Sequence, residues 1–195
     1  GKPTWFDPLV PIRVAQAVKK MGLRHVVITS VDRDDLKGDF GASIWADTIK
    51  QTKKVNPGCT VEVLTPDFKG FEPALKIVFD SKPDIFSHNV ECVERISKAV
   101  RAQANWQRSL GVLEKSIQHG LRTKTGIMVG LGEEVEEVKK TMRQVVDLGV
   151  QIFTIGQYLQ PTKNHLKVEE YISKEQFELY KEYGYSIGFK VVESG

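Results

Sequence analysis

Short apolar runs alternate with amphipathic runs along the whole chain, and five of the apolar runs in succession end in polar or glycine-rich residues. The ends read Thr29-Ser30-Val31-Asp32, Thr65-Pro66-Asp67, His88-Asn89-Val90-Glu91, Gly130-Leu131-Gly132-Glu133 and Gly156-Gln157-Tyr158-Leu159-Gln160. Strands that alternate with helices across short joints predict an α/β protein with a parallel sheet covered by helices. An open doubly wound sheet and a barrel both satisfy that pattern. Polar residues at one strand end after another favour the barrel, because barrel enzymes build their sites at the C-terminal ends of their strands.

The individual segments follow from periodicity and punctuation. Pro11 to Met21 predicts a helix stopped by Gly22, and Leu23 to Ile28 a strand. Val26, Val27 and Ile28 read as a buried parallel strand. Ala42 to Val55 predicts a helix broken by Asn56-Pro57-Gly58, and Thr60 to Leu64 a strand. Pro73 to Phe79 predicts a helix and Ile85 to Ser87 a short strand. Val93, Ile96 and Val100 space a helix, as do Leu110, Leu113 and Ile117. Thr125 to Val129 is the next strand, followed by a helix from Glu133 to Leu148 closed by Gly149. Val150 to Ile155 and Phe189 to Val192 read as strands, with Ser173 and Gln176 a capping box for the helix between them.

At 195 residues the chain has room for one sizeable core, so residues 1–195 are expected to form a single domain. Hydrophobic residues at 41% and charged residues at 27% are ordinary for a globular protein. No apolar run reaches the roughly 18 residues of a membrane helix, and no secretory leader is visible. Basic residues are dispersed, and a net charge of +3 makes no nucleic-acid stripe. The expectation is therefore no nucleic acid and no membrane as partner. Cys59 and Cys92 stand far apart without CxxC spacing. That excludes a disulfide framework, predicts free, partly buried thiols and favours a reducing, cytoplasmic setting.

Several strand ends carry candidate chemistry. Ile28 opens into Thr29, Ser30, Asp32, Arg33, Asp34 and Asp35, which delivers polar groups to the mouth of the sheet. Asn89 and Glu91 are two apart, so a continuing strand would turn both to one face, where an amide beside a carboxylate suits the hydroxyls of a ribose. His88 would alternate to the opposite face and pack. The glycines of Gly130-Leu131-Gly132-Glu133 leave backbone N–H groups open to a ligand, or else form a tight turn with Glu133 at the helix start. A full GxGxxG is absent, which argues against a dinucleotide fold. Gln157, Tyr158 and Gln160 are dense in hydrogen-bonding groups, more than a structural loop needs. No HExxH, Walker loop or Schiff-base lysine stands out. The residues alone reach a barrel-type enzyme with a nucleoside-like ligand.

The stretches VITSVDRDDL (27–36), VEVLTPDFKG (61–70), HNVE (88–91), TKTGIMVGLGEE (123–134) and TIGQYLQPTKNHLKVEEY (154–171) resemble the lipoyl synthase family of radical S-adenosylmethionine enzymes. The resemblance runs in the family's order across nearly the whole chain. It implies a partial (β/α)6 TIM-like barrel, here without its first strand. It also implies insertion of two sulfur atoms at C6 and C8 of an octanoyl group held on a lipoyl carrier domain or H protein. One 4Fe–4S cluster would bind S-adenosylmethionine and reduce it to a 5′-deoxyadenosyl radical. A second, auxiliary 4Fe–4S cluster would be the sulfur source, and an electron donor such as flavodoxin or ferredoxin would feed the first. The setting would be the bacterial cytoplasm or the mitochondrial matrix, with the cytoplasm preferred.

Carried over residue by residue, the resemblance places Thr29, Ser30 and Asp32 near the amino and carboxylate groups of the methionine moiety, with Arg101 pairing its carboxylate. Asn89 and Glu91 would hold the ribose. Met128, Val129 and Gly130 would line the adenine, and Gln157, Tyr158 and Gln160 would close the site. The family's CxxxCxxC, its auxiliary-cluster cysteines and its RSSY segment are not among these residues. Cys92 stands where the family usually has Thr and is not expected to ligate iron. The chain thus reads as an internal fragment truncated at both ends, inactive alone, with no metal ligands of its own. The competing readings are a cluster-less nucleoside-binding barrel and a non-radical barrel lyase.

Overall fold

The structure, a computed structural model, describes residues 5–195. Two compact units account for the chain: residues 1–87 with 119–121, and residues 88–118 with 122–195.

In the first unit, α1 (Val10–Met21) precedes β1 (His25–Thr29), α2 (Ala42–Val55), β2 (Thr60–Leu64), α3 (Glu72–Asp80) and β3 (Ile85–Ser87). Pro11 starts α1, and Gly22 ends it in the left-handed region at φ 64°. The three strands are parallel, with Val27 beside Glu62 and Val63 beside Phe86. Alternation sends Val61 and Val63 into the core with Ile49, Leu75 and Val78, all fully buried or nearly so. Phe79 meets Phe86 edge to face at 5.0 Å between ring centroids, the favoured aromatic geometry.

The expectation of a buried first strand is corrected here. Val27 is 50% exposed, and the residues of β1 are exposed or half-buried in alternation. Burial alternates along β1, so one face has partial cover at Val26 and Ile28 while Val27 on the other is exposed; a parallel strand is fully buried only where both faces are covered.

In the second unit, a 3-10 turn at Glu94–Ile96 leads into α4 (Ser97–Val100) and α5 (Trp106–Gln118). The continuous helix that Val93, Ile96 and Val100 predict is therefore split into two short turns. Then follow β4 (Thr123–Val129), α6 (Val135–Leu148), β5 (Ile152–Gln157), α7 (Lys174–Ile187) and β6 (Val191–Ser194). β4 pairs with β5 and β5 with β6, all parallel. A capping box between Glu134 and Glu137 starts α6, and the Ser173 hydroxyl accepts the Gln176 amide at 3.1 Å to start α7. Phe153, Met142, Leu113, Val138 and Val145 form the centre of one apolar cluster. Parallel strands separated by helices in both units are the α/β pattern the sequence predicts.

Candidate functional site

The pleat of β4 sorts its side chains. Thr125, Ile127 and Val129 turn into the apolar core, while Gly126 and Met128 turn to the opposite face. On β5 the same rule sends Phe153 and Ile155 inward and leaves Thr154 and Gly156 beside Gly126 and Met128. That second face is the floor of a cavity of about 500 Å3, with Asn89 and Glu91 on one side and Glu193 to Gly195 on the other.

Asn89 and Glu91 reach this cavity by a route the strand-continuation argument does not contain. Residues 88–91 run beside β4, and His88 N donates to Lys124 O at 3.1 Å. A regular parallel ladder would bring Val90 N to Gly126 O next. Instead Glu91 N donates to Gly126 O at 3.2 Å, and Met128 N returns to Glu91 O at 2.8 Å. One extra residue has entered the strand, which is a β-bulge. Glu91 takes it up at φ 75°, and Cys92 N closes a three-residue turn onto Val90 O at 3.0 Å. The amide of Val90, displaced from the ladder, donates to Thr125 Oγ1 at 3.3 Å, and that hydroxyl donates to His88 O at 2.8 Å.

Gly126 is the floor's tightest point. A Cβ there would run into Thr154 Oγ1 and stand 3.3 Å from Asn89 Oδ1. Two polar oxygens thus converge over a residue without a side chain. Burial pushes the Glu91 carboxyl above its ordinary value, and the positive charge of Arg101 pulls it back. The donor set is an amide, a carboxylate and a hydroxyl around a bare backbone, with the Met128 side chain beside them. This suits a sugar diol next to an apolar ring system.

The other expected site residues fall elsewhere or are engaged. Val129 is fully buried in the core. The Gly130 and Leu131 amides are not open to a ligand: they donate to Glu133 Oε1 at 2.6 Å and Oε2 at 2.9 Å. The tight-turn reading of that segment is the one observed. Gln157 clamps the following loop, its Nε2 donating to Tyr158 O and Glu170 O, both at 3.0 Å, and its Oε1 accepting Ile172 N at 2.9 Å. Tyr158 Oη donates to Leu166 O at 2.7 Å and Gln160 Nε2 to His165 O at 2.9 Å. Arg101 follows α4 directly and acts on Glu91 through its charge. His88 packs as expected, 5% exposed with Nε2 3.1 Å from Ser109 Oγ.

Thr29 and Ser30 belong to the first unit, where they line a cavity of about 430 Å3 with Ile28, Val31, Arg33 and Trp45. Asp32 lies in the loop after β1. Thr154 was absent from the expected set, because a Thr within a strand reads only as a β-former. Gly126 was absent too, although an isolated Gly inside a strand is itself a sign of close approach.

Neither thiol is poised for iron. Cys59 and Cys92 are buried in different units, and burial with the nearby charges of Glu91 and Glu133 pushes the Cys92 thiol up to about 12. Among the described residues no three His, Cys, Asp or Glu side chains gather as a metal site.

Comparison with known proteins places this arrangement. Residues 1–145 match the radical SAM superfamily model. The lipoyl synthase of Rubrobacter xylanophilus is 54% identical over 197 residues, covering all of this chain and 61% of that protein. That of Phocaeicola vulgatus is 50% identical over 194 residues, covering 68% of its length. The mitochondrial lipoyl synthase of Nematostella vectensis is 50% identical over 196 residues, covering 67%. The chain therefore spans about two thirds, or slightly less, of these relatives. Among solved structures, Streptococcus suis SuiB superposes with a TM-score of 0.73 at 10% identity, covering 98% of this chain and 44% of that one. Methylornithine synthase (PylB) gives 0.68 at 11% identity, covering 97% and 62%. These likenesses show the fold, an α/β architecture of the partial-barrel type. The family match across both units and identities near one half over the full chain assign this protein to the radical SAM superfamily and, within it, to the lipoyl synthase family.

Proposed function

We propose that this chain carries the S-adenosylmethionine-binding core of a lipoyl synthase, an enzyme inserting two sulfur atoms at C6 and C8 of a protein-bound octanoyl group. The observation that carries the reading is the second unit's cavity, where Asn89, Glu91 and Thr154 converge over Gly126, in a chain half identical to named lipoyl synthases. The residues fit a nucleoside. Asn89 and Glu91 would take the ribose hydroxyls, Met128 would lie against the adenine, and the missing Cβ of Gly126 would let the sugar approach the backbone. Bound S-adenosylmethionine, its C5′–S bond cleaved by one electron from the external donor with methionine leaving, would supply the group that takes hydrogen from the octanoyl chain.

The chain's own residues bind and orient. Glu91, half-buried and held by the bulge, presents a fixed acceptor. Gln157 and Tyr158 pin residues 158–172 by the backbone and so support the adenine side without giving up their polar groups to a ligand. The assignments of Thr29, Ser30 and Asp32 to the methionine end, of Val129 and Gly130 to the adenine, and of Gln160 to closing the site rest on the family resemblance. The reading of residues 1–195 as one barrel core rests on a family match that spans residues 1–145.

The described residues do not fit an iron–sulfur cluster, and no step here passes through one. Two clusters, an octanoylated carrier domain or H protein, and a flavodoxin or ferredoxin as electron donor complete the proposal. So does a bacterial cytoplasmic or mitochondrial setting. No helix among the described residues is long and apolar enough to cross a membrane. The test is the full-length enzyme incubated with S-adenosylmethionine, a strong reductant and an octanoylated peptide. Formation of 5′-deoxyadenosine together with thiolated peptide supports the reading. An enzyme that modifies the peptide without consuming S-adenosylmethionine overturns it.

A further inference from the structure

We propose that Thr125 is the positioning residue for the ribose-binding pair: its hydroxyl fills the gap that the bulge opens in the backbone ladder and so holds Asn89 and Glu91 toward the cavity. The inference rests on the ribose reading above and goes one residue behind it, to a side chain that touches no ligand.

The bulge has two costs. Displacing Val90 N from Gly126 O strands a buried donor unless something else accepts it. Holding Glu91 at φ 75° strains a residue that has a side chain. Such a feature persists only where its surroundings over-determine it. Thr125 offsets the first of these costs. It is fully buried, and its one hydroxyl accepts from Val90 N at 3.3 Å while donating to His88 O at 2.8 Å. The side chain replaces the main-chain partner that the extra residue removed. It lies on the same face of β4 as Ile127 and Val129.

Asn89 lies between the two backbone groups that Thr125 holds, and Glu91 lies directly after them. Without the Thr125 hydroxyl, Val90 N and His88 O lose the bonds that fix the backbone on either side of Asn89, and the placement of Asn89 and Glu91 over Gly126 is no longer set. Serine can make the same pair of hydrogen bonds. Valine has the same shape but neither donates nor accepts.

The experiment uses the full-length protein and calorimetric titration with S-adenosylhomocysteine and with its 2′-deoxyribose analogue. Wild type is expected to prefer the ribose form. Thr125→Val should bind S-adenosylhomocysteine roughly tenfold more weakly, the loss of about one well-made hydrogen bond. It should also lose most of the preference for ribose over deoxyribose. Thr125→Ser should keep both the affinity and the preference. A role in stability alone would lower the melting temperature of the valine variant and leave the preference intact, which overturns the proposal. If the valine variant does not fold, the serine variant still decides: loss of the ribose preference in that variant overturns it. A wild-type protein without any ribose preference would instead overturn the underlying ribose reading.

Discussion

The amide of Glu91 meets the carbonyl of Gly126 at 3.2 Å, one residue beyond the register set by His88 and Lys124. This offset turns a short strand extension into a binding edge. It puts an acidic side chain at φ 75° beside the one β4 residue that has no side chain. The strain and the bare backbone belong to the same device, and both should be visible in mutants.

Replacing Glu91 with glycine removes the conformational cost of a positive φ. The Glu91→Gly protein should be more stable than wild type by ~1 kcal/mol in urea unfolding. It should bind S-adenosylhomocysteine at least tenfold more weakly, because an acceptor is gone. A gain in stability coupled to a loss of binding is the pattern of a strained functional residue.

The Glu91 carboxyl also makes a pH prediction. Burial lifts its pKa above the ordinary 4.5, with Arg101 opposing. Between the unfolded and folded values the folded state holds the extra proton, so stability falls as pH rises through that window and is level above it. Glu91→Gln removes this dependence. The melting temperature of the variant relative to wild type should therefore rise from pH 4.5 upward and then plateau. Arg101→Ala should extend the window to higher pH.

Gly126 should tolerate no side chain. An added Cβ meets Thr154 Oγ1 and approaches Asn89 Oδ1 to 3.3 Å and Thr154 O to 3.0 Å. Gly126→Ala is expected to reduce S-adenosylhomocysteine affinity by roughly tenfold or more and to lower stability by ~1–3 kcal/mol, the range for overpacking. Calorimetric titration and urea unfolding of the same preparation check both. Thr154→Ala should weaken binding while leaving stability nearly unchanged.

Glu133 holds the Gly130 and Leu131 amides at 2.6 and 2.9 Å, so Glu133→Ala leaves two donors of the turn without their acceptor. A stability loss of about 1–3 kcal/mol is expected. Gln157→Ala frees Ile172 N and Glu170 O in the same way. Hydrogen exchange at the Ile172 amide should speed up, and residues 158–172 should become the first site of proteolysis.

Much of the fold was legible from residue order. The bounds of α2, β2 and β3 agree with the sequence reading, because Asn56-Pro57-Gly58, alternating TVEVL and flanking polar residues are local signals. The burial of β1 was misread, since Val26-Val27-Ile28 says nothing about which faces of the strand are covered. Spacing by two predicted one face for Asn89 and Glu91; both line one cavity, but through a bulge at Glu91 rather than a continuing strand. That bulge depends on Thr125, thirty-four residues after Glu91, and no local pattern encodes it. Gly130 and Gly132 left open amides and a tight turn as alternatives, and Glu133, which takes the Gly130 and Leu131 amides, decides for the turn. Gln157, Tyr158 and Gln160 read as more polar than a structural loop needs, yet their polar atoms go to that loop's own backbone.

The central claim is that the cavity over Gly126 takes the ribose through Asn89 and Glu91. The most direct measurement is calorimetric titration of S-adenosylhomocysteine into the full-length Asn89→Ala, Glu91→Ala double variant, with folding checked by circular dichroism. The account predicts a folded protein whose affinity has fallen by roughly a hundredfold, about one decade for each lost partner. A folded double variant that binds as tightly as wild type would contradict it.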